Sequence, residues 1–236
     1  MLVKNHLVSC SDMDGNCSMS IIALLNMCED AITEHMGSFG LDGLTVKQKH
    51  NILLVFTKNK IEIGYLPPWL TNLTVNAWIS KITPYKLFLN CSIMNSDIMV
   101  AQSKTEVVGI DMFNYKLKKV YEYGVVDSLN EENELDINYD IIKMLECKDL
   151  VCKRCVKATN IDYINHTNNV EYIRFILDTM SLKDIKKIKS IEMIYSKQSF
   201  INDELSIYKT IDIDFNQFRI EKNNETINIT KIKFGE

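Results

Sequence analysis

Asn160-Ile161-Asp162-Tyr163-Ile164-Asn165-His166-Thr167-Asn168-Asn169 runs directly into Val170-Glu171-Tyr172-Ile173-Arg174-Phe175-Ile176-Leu177. The first half is rich in groups that hydrogen-bond or titrate. The second is almost wholly apolar. Asn168 or Asn169 can cap a helix there, because a short side-chain oxygen satisfies an N–H that the first turn leaves unpaired. Val170, Ile173, Ile176, Leu177 and Met180 recur at helical spacing, and Tyr172 and Phe175 fill most of the gaps. A helix this apolar must be wrapped by other elements. His166 and Asp162 at its N-terminus place a titratable base beside unpaired amides and a positive dipole end, a place suited to a developing oxyanion. The same residues also suit a plain turn and cap.

An offset of 148 residues lays Val8 on Val156, Asp12 on Asn160, Asp14 on Asp162, Ser20 on Asn168 and Leu24 on Tyr172. Each copy reads as strand, acidic turn, cap and apolar helix. After the first helix comes a glycine-rich loop at 37–43, then strand-like runs at 51–65, 74–83, 86–94 and 98–111. The second copy has a strand at 151–159 before its turn, and later runs at 190–198, 204–213, 215–222 and 226–234. A polar link at 127–134 and a connecting helix from Asp140 join the halves, with the boundary near Ser128. The expectation is an α+β protein with two domains, 1–128 and 129–236, each a long buried helix wrapped by a curved antiparallel sheet. That is a tandem hotdog.

The chain has 236 residues, 46% hydrophobic and 25% charged, with a formal net charge of −4. This is globular composition, and its charge argues against general nucleic-acid binding. Neither a signal peptide nor a membrane span is suggested, so a cytoplasmic location is expected. Seven cysteines, an odd and scattered set, do not form a secreted framework. Cys147, Cys152, Cys155 and His166 are the one set to weigh for zinc. A strand through Cys152 and Cys155 turns them to opposite faces, so no metal or other cofactor is expected. No serine-hydrolase elbow, P-loop or dinucleotide fingerprint occurs. His6, His35 and His50 lack acidic partners at suggestive spacing and read as structural or exposed. Lys183, Lys186, Lys187 and Lys189 crowd one segment, as a solvated face or as a dock for an acidic partner.

Asp162-x-x-x-His166-x-Asn168-Asn169-Val170-x-Tyr172 resembles the signature of the acyl-acyl carrier protein (ACP) thioesterase family, Asp-x-Asn-x-His-x-Asn-Asn-Val-x-Tyr. Asp12-x-Asp14-x-Asn16 with Leu24-Leu25-Asn26 is similar to the family's first-helix entry. Residues 103–111 resemble a late first-domain strand, with Glu106 where members often carry tryptophan. Residues 191–198 resemble the second-domain strand that ends in a functional polar residue.

The resemblance implies hydrolysis of the thioester joining a fatty acyl chain to acyl carrier protein. Asp162 would set the site's network, and His166 would activate water or polarise the thioester. The family's catalytic asparagine falls on Ile164, with Asn165 one place later. The strand position commonly held by glutamate falls on Gln198, which positions water without acting as a carboxylate base. The site residues expected are therefore Asp162, His166, Asn165 and Gln198. Two rival readings are a non-catalytic acyl-binding or regulatory protein and a thioesterase acting on acyl-CoA; hydration of an enoyl thioester is a third. Pairing into a homodimer is left open.

Overall fold

The structure is a computed structural model, and it describes residues 1–123, 131–140, 142 and 149–235. It divides into two compact units, Met1–Ile137 and Asn138–Glu236. The boundary expected near Ser128 lies outside the described residues, as does most of the connecting helix expected from Asp140.

In the first unit β1 (Leu2–Leu7) precedes α1 (Ile21–Gly37) and α2 (Gly43–His50). β2 (Ile52–Ile63), β3 (Asn72–Ile82), β4 (Lys86–Asn95), β5 (Ile98–Asp111) and the short β6 (Leu117–Lys118) follow. The antiparallel order is β1-β3-β4-β5-β2, with β6 paired to β5. Ser20 caps α1, its Oγ accepting from Ala23 N. Ile21, Leu24, Leu25, Cys28, Ala31 and Ile32 are buried at helical spacing, where α1 packs on β3 and β4. Each of the isoleucine and leucine side chains contributes roughly 1.5–3 kcal/mol when removed from water.

The opposite sheet face is polar yet covered. Residues 131–137 cross it, with Trp78 Nε1 donating to Asn133 O at 2.7 Å and Lys104 pairing with Glu134. On the same strand Glu106 is buried and accepts from Lys86 Nζ at 3.0 Å and from Thr57 Oγ1 at 2.5 Å.

The second unit repeats the plan with β7 (Asp149–Cys155), α3 (Asn169–Leu177), α4 (Leu182–Lys186), β8 (Ile188–Tyr195), β9 (Glu204–Ile211), β10 (Phe215–Lys222) and β11 (Glu225–Phe234). Its order is β8-β11-β10-β9-β7. In both units the first strand after the helices pairs with the last long strand, and the strand before the helices lies at the far edge.

Two local expectations are corrected, and one further helix is found. α3 stops at Leu177, so Met180 lies beyond it. Thr179 Oγ1 takes the Ile176 carbonyl, Thr179 N and Met180 N close tight turns on Ile176 O and Leu177 O, and Ser181 then caps α4. A hydroxyl that competes for a helix carbonyl, followed by a good N-cap, ends one helix and starts another. Residues 43–50, which run from the end of the expected loop to the first strand-like run, form α2, capped by Asp42. β8 ends at Tyr195, which puts Gln198 in the connection to β9.

Candidate active site at the start of α3

Main-chain bonds wind residues 157–168 into a closed turn. Lys157 N donates to Asn160 Oδ1 at 2.8 Å, and an isolated bridge joins Ile161 to Thr167. Asp162 sits at the turn's centre: its N donates to His166 O at 2.8 Å, and its Oδ1 accepts from Ile164 N at 2.9 Å and His166 N at 3.1 Å. Asn165 occupies the left-handed corner at φ 69° and donates its N–H to Asp162 O at 3.1 Å. Asparagine tolerates that conformation better than most residues. Asn168 caps α3, with Oδ1 accepting from Val170 N at 2.7 Å.

A second segment, residues 196–203, is bonded to this turn through buried hydroxyls. Thr167 N donates to Ser199 O at 2.9 Å, and Thr167 Oγ1 lies 2.7 Å from Ser199 Oγ. Tyr172 Oη, one helical turn into α3, lies 2.9 Å from the same Oγ and accepts from Ser199 N at 3.2 Å. Burial pushes the Tyr172 phenol above its ordinary range, against the opposing pull of the bonds from Ser199 and Thr167. Ser199 thereby holds its neighbours against the turn. Phe200 meets the His166 ring edge to face at 5.3 Å between centroids, and half-buried Gln198 lies on the other side of Ser199.

Asp162 and His166 are thus brought into one turn, through the carboxylate and the histidine's main chain. Asn165 is exposed, and its described hydrogen bond is made by the main chain. Ile164 is half-buried. The expected run of unpaired helix amides is shorter than foreseen: Asn168 takes Val170 N with its side chain and Glu171 N with its carbonyl. Among the described residues the Asn169 N–H remains unbonded at the first helical position. Thr167 and Ser199 carried no signal as a pair, because they stand 32 residues apart.

The same turn exists in the first unit with different side chains. Asp14 N donates to Ser18 O, Asn16 N donates to Asp14 Oδ1, Cys17 takes the left-handed corner at φ 55°, and Met19 N donates to Pro67 O at 2.8 Å. Ser18 stands in the place of His166, Met19 in that of Thr167 and Leu24 in that of Tyr172. Only the second copy carries an imidazole. His6, read as lacking an acidic partner, has one in the fold: its Nε2 lies 2.9 Å from Asp12 Oδ2.

A groove of about 620 Å³ lined by Met180, Lys187, Ile213 and Phe234 lies at the other end of α3 from His166. Lys183, Lys186, Lys187 and Lys189 are exposed on and beside α4. No group of three metal-ligating side chains occurs among the described residues, and Cys147 lies outside them.

Models of two protein-family domains match this chain: the acyl-ACP thioesterase N-terminal domain over residues 2–127 and the C-terminal domain over residues 146–234. The chain belongs to the acyl-ACP thioesterase family. Its reaction is the hydrolysis of a fatty acyl-ACP thioester, and the turn described above lies within the stretch matched by the C-terminal domain. Among solved structures, an acyl-ACP thioesterase from Bacteroides thetaiotaomicron superposes with a TM-score of 0.89 at 20% identity, over 99% of this chain and 97% of that one. A 12:0-ACP thioesterase from Umbellularia californica superposes with a TM-score of 0.86 at 13% identity, over 99% and 96%. These likenesses establish the tandem hotdog fold of this acyl-ACP thioesterase. No curated protein sequence matches it.

Proposed function

We propose that this acyl-ACP thioesterase does its chemistry at the start of α3, with His166 as the base that activates water. The observation that carries the reading is the closed turn in which Asp162 Oδ1 holds the His166 main chain while Ser199 braces Phe200 against the His166 ring. His166 takes a proton from water as the oxygen adds to the thioester carbonyl, and returns a proton to the sulfur as the C–S bond breaks. The products are a free fatty acid and the carrier's pantetheine thiol.

The Asn169 N–H, at the positive end of the α3 dipole, supplies a donor to the tetrahedral oxyanion. Gln198 orients the water through its amide. Asn165 serves through its main chain as the corner of the turn, and Ile164 supplies no amide. Nothing in this scheme requires a second copy of the chain, a metal or a redox cofactor. The odd, scattered cysteines support a reducing compartment, the cytoplasm. None of the described helices is long and apolar enough to cross a membrane.

Turnover of a panel of acyl-ACP substrates tests the proposal, with His166→Ala alongside. Release of thiol by the native protein and not by the variant is the expected result. Equal rates from both would place the chemistry elsewhere.

A further inference from the structure

Residues 111–123 leave the sheet of the first unit as a hairpin and a short 3-10 turn, and both are firmly built. Asp111 Oδ1 accepts from Phe113 N at 2.9 Å and Asn114 N at 3.1 Å, and Asp111 N donates to Lys116 O at 2.9 Å. Tyr123 is fully buried, and its Oη accepts from Gly109 N, where a Cβ would overlap the Tyr123 ring. Val120 is buried beside it, with its N donating to Pro84 O at 2.9 Å.

On this rigid base the remaining large side chains are turned outward. Phe113 is 76% exposed, Tyr115 75%, Tyr121 64% and Leu117 56%, with Tyr85 of the neighbouring β3–β4 turn at 42%. Single exposed apolar residues are ordinary; several displayed together on an anchored loop mark an interaction surface.

The charge around them is mixed, with lysines in excess. The acids of the hairpin, Asp111 and Glu122, are both engaged by Lys118 at 3.3 Å. Lys116 and Lys119 make no ion pair among the described residues, and the Lys119 ammonium lies 5.7 Å from the Tyr121 ring centroid. The C-terminal turn of α2 adds Lys47 and Lys49, and its capping residue Asn51 accepts from Met112 N at 3.0 Å. A cationic patch on a chain of net charge −4 is local rather than a property of the whole molecule.

We propose that this hairpin, with the C-terminal turn of α2, docks the enzyme on an anionic lipid surface. Phenylalanine, tyrosine and leucine enter the interfacial region of a bilayer, and lysines between them reach anionic headgroups while their stems stay apolar. The large side chains stand out into solvent, as insertion into a bilayer interface requires. The reaction supplies a reason: its product is an amphiphile whose alkyl chain partitions into bilayers, so docking shortens its path from site to membrane. The proposal stands independently of which residues carry the hydrolysis.

Co-sedimentation of the purified full chain with phosphatidylcholine vesicles, with and without phosphatidylglycerol, tests it. The bound fraction rises with phosphatidylglycerol and falls with added salt. Lys116→Glu with Lys119→Glu lowers binding by about tenfold or more, since each lysine near an anionic surface is worth roughly fivefold. Phe113→Ser with Tyr115→Ser lowers it by a similar factor, with the melting temperature and the hydrolysis of a dissolved acyl thioester unchanged. Equal binding to both kinds of vesicle, or unaltered binding by both variants, overturns the proposal. So does a dimer in sedimentation velocity that Phe113→Ser with Tyr115→Ser dissociates, or loss of acyl carrier protein binding in these variants without loss of vesicle binding.

Discussion

Tyr172 Oη lies 2.9 Å from Ser199 Oγ, joining the helix that follows the histidine turn to the segment that carries Gln198 and Phe200. The first unit shows what this bond is not needed for. Its copy of the turn closes with the same main-chain bonds, with buried Met19 and Leu24 where the second unit has Thr167 and Tyr172. A buried hydroxyl cluster costs desolvation that apolar side chains avoid. Its presence only beside His166 is what the proposed site would require of groups that position it.

Tyr172→Phe is expected to lower stability by roughly 1–3 kcal/mol, because Ser199 N–H loses a buried acceptor. Ser199→Ala costs less, about 1 kcal/mol, since Tyr172 Oη keeps its bond from Ser199 N. Both lower kcat more than they change KM. Thermal unfolding and steady-state kinetics on acyl-ACP read the two effects separately.

His166→Ala is expected to lower kcat/KM by about 10²–10⁴, the usual worth of a positioned general base. His166 joins the turn's hydrogen bonds through its main-chain atoms, so the melting temperature should scarcely move. A large loss of stability would instead make the imidazole a packing group.

Ile164→Asn should raise kcat, supplying the amide that the family pattern has at this place. Asn165→Gly should leave kcat unchanged, because glycine keeps the left-handed corner and removes only an exposed amide. A fall in kcat with Asn165→Gly would show that the displaced asparagine already serves, and a comparison of the two variants under saturating substrate decides it.

Stability should decline as pH falls from neutrality. Burial holds His35, in the last turn of α1, below its ordinary 6.5, with the N-terminal ammonium adding repulsion and Glu132 opposing it. The folded state favours the neutral ring, so its contribution is present above 6.5 and is lost as pH falls through the lower folded value. Melting temperatures between about pH 7 and pH 5 should drop, and His35→Gln should flatten that drop. Asp42 behaves differently: its bonds from Thr45 hold it below 3.8, so its capping contribution survives until more acidic pH.

The repeated turn, the caps Ser20 and Asn168, the long strands and the tandem plan were legible because they rest on bonds between residues two to four apart and on alternation along one strand. β5 and β10 occupy the same spans as read from pattern. The end of α3 was misread because periodicity ignores a threonine that takes its helix carbonyl.

The chain order alone thus specified the scaffold and placed Asp162 and His166 in one turn. Folding selected their surroundings. Ser199 meets Thr167 and Tyr172 across a long separation, Gln198 leaves its strand, and His6 finds Asp12, all through packing that brings distant segments together. A side chain's local neighbours are written in its sequence spacing. Its buried hydrogen-bond partners depend on which loops the sheet holds side by side, and that is a property of the folded unit as a whole.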